Sequence, residues 1–378
     1  MSKEKGLSRR LFLSRLGTTA ICLATVPMLE GCDYNFIESI RASGVEVPFI
    51  TDTEKFYVQF GAQATVSGWK EPEIKPEDWK LQLEGFGFDK TITFAELSSK
   101  MKTDGISVLK TMRCVFDTFD IPGLLSNAVF KGVPLSLFLP SKTELEGKGV
   151  KRARIFASDG FRNNITLDRL FNTSDKELFE PLLVTEINGA PLTGKLGAPV
   201  RLLIQEAFGY KNVKYISKIE FTDSDEPFGD YQDNGYTDDG EMRVTSKLTT
   251  PAKRSDVPIG PVKIMGVAFS GKAGISKVEV SIDKGPFQEA TVLPLTDLIK
   301  DSNYKDVVEQ TEQVKNPSVH TYPYRGVWTP WEFLWEATEG DHEIRVKATD
   351  RSNTSQPEVD DDFTDGTNRI SLTQVTGR

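Results

Sequence analysis

Cys114 sits in the stretch LKTMRCVFDTFD (residues 109–120), where a run that reads as a strand, GISVLK, gives way to a segment with no second cysteine. The chain has three cysteines, Cys22, Cys32 and Cys114, and the first two lie within or at the end of a leader-like N-terminus. Unless Cys32 stays unmodified and attached, Cys114 has no intramolecular partner. Such a thiol is either a small buried hydrophobe or a reactive or metal-ligating group. The other chemistry-bearing residues narrow that choice. The only histidines are His320 and His342, so the first 319 residues contain no histidine base, no Ser/His or Cys/His pair and no His-rich metal site. There is no Cys-x-x-Cys-His haem attachment, no iron–sulfur cysteine spacing and no Gly-rich phosphate loop opening a helix. A reactive centre here must be imported. A single soft thiolate suits a metal whose remaining ligands come from an organic cofactor.

The chain that positions this thiol has 378 residues, 38% hydrophobic and 27% charged. That length exceeds what one hydrophobic core sustains, so two domains are expected. Net charge is −9. The first 32 residues carry Lys3, Lys5, Arg9, Arg10 and Arg15 against Glu4 and Glu30, which leaves the remainder near −12. Phosphate backbones would be repelled, which excludes a nucleic-acid partner and favours a cationic protein.

Residues 1–32 read as an export signal. Ser8, Arg9, Arg10, Phe12 and Leu13 resemble the twin-arginine consensus, and the apolar run Leu16 to Leu29 is too short to span a bilayer. Leu29-Glu30-Gly31-Cys32 resembles a lipoprotein cleavage box, in which Cys32 would carry a lipid anchor to the membrane. The expected location is periplasmic or otherwise extracytoplasmic. A polar linker over 33–52 is expected next, then a cofactor domain over 53–254 and a second domain over 255–378.

The first domain is expected to be α+β. WKLQLEGF, GISVLKTMR, RARIFAS, PLLVTEING, APVRLLIQ and VKYISKIEF read as strands, and TFAELSSKM as a short helix with Thr91 or Thr93 as its cap. GVPLSLFL and TLDRLF read as helical patches. Asp230, Asn234, Gly235 and Glu241 match positions of a calcium loop, but Gln232 and the absence of an entering helix argue for coincidence. From Val257 on, short strands at regular spacing predict an immunoglobulin-like β-sandwich with Trp328, Trp331 and Trp335 as anchors. Pro294 to Tyr324 reads as an insertion between strands.

Several motifs then occur in a recognisable order. KTMRCVFDTFDIPGLLSNAVFKGVPLSLFL, FASDGF, INGAPLTGKLGAPVRLLIQEAFGYKNVKYISKIEF and GDYQDNGY are followed by IMGVAFSGKAGISKVEVSIDKGPFQEA, WTPWEFLW and GDHEIRVKATDRSNTSQP. Over most of the chain this layout resembles the sulfite oxidase family of molybdopterin enzymes. The resemblance implies a molybdenum–molybdopterin cofactor ligated by Cys114 and held by Arg201 and Lys214. It places Tyr236 and Gln59 on the substrate side, with Arg113 as a weaker candidate there. It also implies a homodimer formed through the second domain, oxygen-atom transfer on a small sulfur oxyanion or related substrate, and electrons passed to an external carrier such as a c-type cytochrome.

Departures from the family pattern bear on the substrate. Gln59 and Gly61 stand where sulfite oxidases place a substrate-facing Arg-Asn-His stretch. An anionic sulfite would lose a charge-assisted contact worth roughly 1.5–3 kcal/mol, over tenfold in affinity. Leu196 replaces a histidine and VFD replaces the usual Gly-Asn after the cysteine. MRCV is closer to the methionine sulfoxide reductase subunits of the family, which lack the sandwich, so an S-oxide reductase is the alternative activity. A non-catalytic binding module is a further alternative, which the intact Cys114 weighs against.

Overall fold

The computed structural model describes residues 47–59, 70–117, 124–172, 174–360 and 362–378. The expected leader with Cys22, the expected cleavage box with Cys32, most of the expected linker and Gly61 lie outside the described residues.

The first domain is built from strands β1 (Lys80–Gly85), β2 (Phe88–Thr93), β3 (Ile106–Arg113), β4 (Leu125–Pro134), β5 (Arg152–Ala157), β6 (Arg162–Thr166), β7 (Leu182–Ile187), β8 (Ala190–Pro191), β9 (Arg201–Leu203) and β10 (Ile216–Thr222). One sheet runs β2-β1-β10-β5-β6, with β1 and β10 parallel and its other pairs antiparallel. Its alternation is visible in β1, where Leu81 and Leu83 are buried and Lys80 and Gln82 are exposed. Helix α1 (Phe94–Asp104) covers one side and buries Leu97. Thr93, not Thr91, caps it: its hydroxyl accepts from the Glu96 N–H while the Glu96 carboxylate accepts from the Thr93 N–H, a reciprocal capping box.

A second sheet, β3-β4-β7-β8 with β9 also paired to β7, positions the chemistry. β3 and β4 are buried almost throughout because clusters of apolar side chains cover both faces. Cys114 follows the end of β3 and Arg201 begins β9, so one sheet delivers both. GVPLSLFL is not a helix: Gly132 to Pro134 extend β4, and only Leu135–Phe138 coil, as one 3-10 turn. Gly132 packs so tightly on Leu183 that an added Cβ would lie 2.5 Å from its carbonyl oxygen, which favours the ladder over a helix.

The second domain is a sandwich of β11 (Thr245–Thr250), β13 (Gly260–Phe269), β17 (Thr329–Ala337) and β16 (Thr291–Val292) against β12 (Asp256–Val257), β19 (Ser371–Gly377), β18 (Gly340–Asp350), β14 (Ile275–Ile282) and β15 (Gln288–Glu289). β11 pairs with β13, so the sandwich includes strand residues from Thr245 on, ahead of the boundary at 255 that the sequence spacing predicts. Trp331 and Trp335 join its core. Trp328 does not: its indole N–H donates to the Phe49 carbonyl at 2.8 Å and its backbone N–H to the Thr111 hydroxyl at 2.6 Å, which places it between the domains. The same contact helps explain why Val47, Phe49, Ile50 and Thr51, at the end of the expected linker, are buried.

The insertion forms three short helices, α2 (Leu295–Ile299), α3 (Lys305–Glu309) and α4 (Glu312–Lys315). On α4 the buried Gln313 amide accepts from the Leu109 N–H at 3.0 Å and donates to the Leu109 carbonyl at 2.8 Å. It pairs with the backbone of β3 as a neighbouring strand would, closing an otherwise open edge. Among the described residues no helix is long and apolar enough to cross a membrane.

His342 clasps the turn after β14 to β18. Its Nδ1 lies 2.7 Å from the Asp283 carboxylate and its Nε2 lies 2.9 Å from the Thr338 carbonyl, acceptors on both sides. The Asp283 hydrogen bond, set against a smaller desolvation effect, raises the His342 pKa above the ordinary imidazole value. The clasp therefore contributes stability in full below about pH 6.5 and loses it as pH rises through the raised folded value. Chemical denaturation across that window should show stability falling in the wild type, a slope that His342→Gln removes; a slope unchanged in the variant would rule the clasp out.

Candidate active site

Cys114 is buried and held at the mouth of a tight loop. Its N–H donates to the Leu124 carbonyl at 2.9 Å, its carbonyl accepts from the Asp117 N–H at 3.0 Å, and its Sγ lies 3.4 Å from the Phe116 N–H. Asp117 fastens the loop. Its carboxylate accepts from the Leu124 N–H at 3.2 Å and from Arg113 Nε at 3.2 Å, and Lys247 Nζ lies 3.1 Å away. The VFD segment that departs from the family pattern thus supplies a buried anion that two cations neutralise, the condition under which a buried charge is tolerable.

Those contacts correct the reading of Arg113. It is fully buried, donates to Asp117 and to the Thr245 hydroxyl at 3.2 Å, and lies 5.3 Å from the centroids of both the Phe208 and Phe269 rings. It braces the loop from behind and does not line the cleft in front of Cys114. The reason is register: consecutive residues at the end of a strand point to opposite faces.

The cleft itself opens to solvent in front of Cys114. Cys114, Gln59, Arg201 and Lys214 all line it. Arg201 Nη1 donates to the Leu196 carbonyl and Nη2 to the Asn212 carbonyl, each at 3.0 Å, while its buried Nε has no hydrogen-bond partner among the described residues. No carboxylate is paired with it there. Burial lowers its pKa to about 10, so it stays charged at neutral pH. Lys214 Nζ donates to the Lys195 carbonyl at 3.2 Å. Gly197 makes room for that side chain: at φ 98° it adopts a backbone conformation that suits glycine, and a Cβ there would sit 2.9 Å from the Lys214 Cβ. A buried guanidinium with a donor left over, beside an ammonium on the same wall, fits an anionic group, and a phosphate ester most readily.

Tyr236 is near enough to Cys114 for the thiolate charge to act on it, but it is not among the residues that line the cleft. It packs edge-to-face on Tyr231, with ring centroids 5.2 Å apart, and Tyr231 is the one that lines the cleft. Burial first, and then the Cys114 charge, raises both phenols well above the ordinary tyrosine value, so both keep their protons. Tyr231 in turn stacks on Tyr210 at 4.5 Å and 10°. Tyr57, Phe161, Tyr210, Tyr231 and Asp159 line the cleft and were missed from the sequence. Only the SDGF turn carried a local sign, in that Asp159 accepts from the Phe161 N–H at 3.0 Å. The aromatic residues come from separate segments and share no spacing. Asp230 and Glu241, from the calcium-loop match, are instead bound to Arg162 and Arg243.

Comparison with known proteins accounts for this arrangement. The oxidoreductase molybdopterin binding domain matches residues 68–228, and the Mo-co oxidoreductase dimerisation domain matches residues 239–364. The mitochondrial sulfite oxidase of Drosophila melanogaster is 26% identical over 82% of this chain, which spans 56% of that protein's length. An inducible NADH nitrate reductase of Glycine max is 27% identical over 45% of this chain and 20% of its own. The crystal structure of the sulfane dehydrogenase SoxCD from Paracoccus pantotrophus superposes with a TM-score of 0.65 at 17% identity, covering 89% of this chain and 83% of that one, and shows the same fold. The second match takes in β11, in keeping with its pairing to β13. A molybdopterin-binding domain followed directly by its dimerisation domain places the chain in the sulfite oxidase family of molybdopterin-dependent oxidoreductases, whose cofactor is molybdenum held by molybdopterin.

Proposed function

We propose that this protein is an exported molybdenum-dependent oxidoreductase that moves an oxygen atom to or from sulfur and exchanges electrons with an external one-electron carrier. The observation that carries the reading is the convergence of Cys114 and the unpaired Nε edge of Arg201 on one cleft. The cofactor supplies a metal that accepts or donates two electrons together with an oxygen atom.

The chain's own residues do the rest. Cys114 would offer its sulfur to the metal, and Arg201 with Lys214 would hold the pterin phosphate. Tyr231, held in the phenol form, lines the cleft, and Tyr236, also a phenol, packs behind it. Asp159, whose carboxyl burial raises above the usual range, can release or accept a proton in the cleft. This sequence has no cysteine or histidine spacing for a second redox centre, which supports an external carrier for the electrons. The acidic body of the chain favours a cationic one, and a c-type cytochrome meets that condition. Arg9 and Arg10 support twin-arginine export, Cys32 a lipid anchor, and the second domain homodimerisation.

Protein purified from a host that makes the cofactor should contain near-stoichiometric molybdenum and pterin by elemental mass spectrometry and pterin fluorescence. It should also turn over a sulfur compound with a one-electron dye. Correctly exported protein free of molybdenum would overturn the proposal.

A further inference from the structure

The second domain reaches the strand that delivers Cys114. β3 is the end strand of its sheet, paired on one side with β4. Its other side is taken by residues far along the chain. The Leu109 N–H and carbonyl pair with the Gln313 amide, and the Thr111 N–H donates to the Gly326 carbonyl at 2.8 Å. The Thr111 hydroxyl accepts from the Trp328 N–H, and Arg113 donates to the Thr245 hydroxyl. Leu109, Thr111 and Arg113 alternate along β3, so they form one line of contact that ends one residue before Cys114.

β11 carries that line past the end of β3. Its Leu248 side chain joins the sandwich core, and its Ser246 hydroxyl donates to the Val346 carbonyl at 3.1 Å, so these alternate residues face the second domain. Thr245 and Lys247, on the opposite face, meet the first. Lys247 is buried, and its Nζ lies 3.1 Å from the Asp117 carboxylate and 3.1 Å from the Asp117 carbonyl. The same carboxylate accepts from Arg113 and from the Leu124 N–H, and the Leu124 carbonyl accepts from the Cys114 N–H. Contacts therefore run unbroken from Lys247 through Asp117 and Leu124 to Cys114. A buried carboxylate that loses one of two cations is drawn toward the other or toward water, and either shift moves the backbone that carries the thiol.

We propose that the second domain, beyond any role in dimerisation, completes the cofactor site, and that Lys247 is a positioning residue that holds Cys114 in place through Asp117. This rests on the ligation of molybdenum by Cys114 proposed above. Lys247 lies outside residues 68–228, which match the molybdopterin binding domain, so the site depends on a side chain that the domain boundary leaves out. Every contact in the path is made by groups of this chain, so the thiol is placed before the cofactor enters.

The test uses the full chain with Lys247→Met, which keeps an unbranched stem and removes the charge, and Lys247→Arg, which restores the charge. In apoprotein, the rate at which iodoacetamide alkylates Cys114, read by peptide mass spectrometry, should rise at least ~10-fold in Lys247→Met as the loop opens more often. In matured protein, molybdenum content should fall ~10-fold or more, the low end of the loss seen when outer partners of metal ligands are removed. Lys247→Arg should return both toward wild type, and the elution volume on gel filtration should be the same for all three proteins. Alkylation at the wild-type rate in folded Lys247→Met overturns the positioning role, and so does faster alkylation with wild-type molybdenum content. Metal loss that follows a change of oligomeric state overturns it in favour of dimerisation alone. If Lys247→Met does not fold, Thr245→Val, which deletes only the hydroxyl that receives Arg113, is read by the same two measurements: a change in both in the same directions supports the role, and no change in either overturns it. The apoprotein measurement keeps the two conclusions apart, since wild-type protein exported without molybdenum refutes the function beneath and leaves the alkylation rates standing.

Discussion

Cys114→Ser is expected to lower turnover by at least ~100-fold, because even the outer hydrogen-bond partners of metal ligands cost 10–100-fold when removed. The serine hydroxyl is a hard, protonated donor at neutral pH and a poor replacement for a soft thiolate. The fold should survive, since the loop is fastened by backbone hydrogen bonds and by Asp117, none of which passes through the sulfur covalently. X-ray absorption at molybdenum is the decisive measurement: one sulfur scatterer present in the wild type should be missing in whatever fraction of the variant still holds metal. Full activity in the variant, or an unchanged sulfur shell, would show that Cys114 is only a packed thiol.

Arg201→Gln separates cofactor binding from folding. Glutamine keeps N–H donors for the carbonyls of Leu196 and Asn212 but removes the charge. Burial of a guanidinium without a carboxylate is costly to the protein before the cofactor arrives, so the neutral variant should leave the stability of the apoprotein within about 1 kcal/mol of wild type. Loss of a charge-assisted contact to the phosphate, roughly 1.5–3 kcal/mol, should reduce molybdenum and pterin occupancy by more than ~10-fold. The two readouts are independent: thermal melting of apoprotein, and metal with pterin content after maturation. A structural arginine would give the opposite pattern, a large fall in melting temperature with occupancy lost only in proportion.

Tyr231 shows how the two domains' chemistry was only partly visible beforehand. The sequence directs attention to Tyr236 through a motif, yet the ring that lines the cleft is five residues earlier and stacked on Tyr210. Arg113 was misplaced for a related reason. Its partner Asp117 is shared with Lys247, far along the chain, and nothing local says that these three charges meet beside Cys114. For Arg201 and Lys214 the resemblance implies a role, and the structure adds their place on the cleft wall, a buried Nε without a hydrogen-bond partner among the described residues, and a glycine that makes way for the lysine.

The sandwich strands were readable because alternation at period two is a local property, and β14 and β18 display it in their buried and exposed residues. Its start was not, because β11 looks like the tail of an acidic loop until β13 pairs with it. Trp328 was assigned to the wrong core because a tryptophan in a strand-rich segment does not reveal which of two cores it fills.

By itself the sequence determined that the residues after the expected leader offer one thiol, Cys114, and only two histidines, which points to an imported reactive centre. It also determined two domains and their order. Tertiary structure alone decided which charges remain for a ligand. Whether Arg113 or Arg201 is available depends on where buried anions fall, and that follows from contacts between segments far apart in the chain.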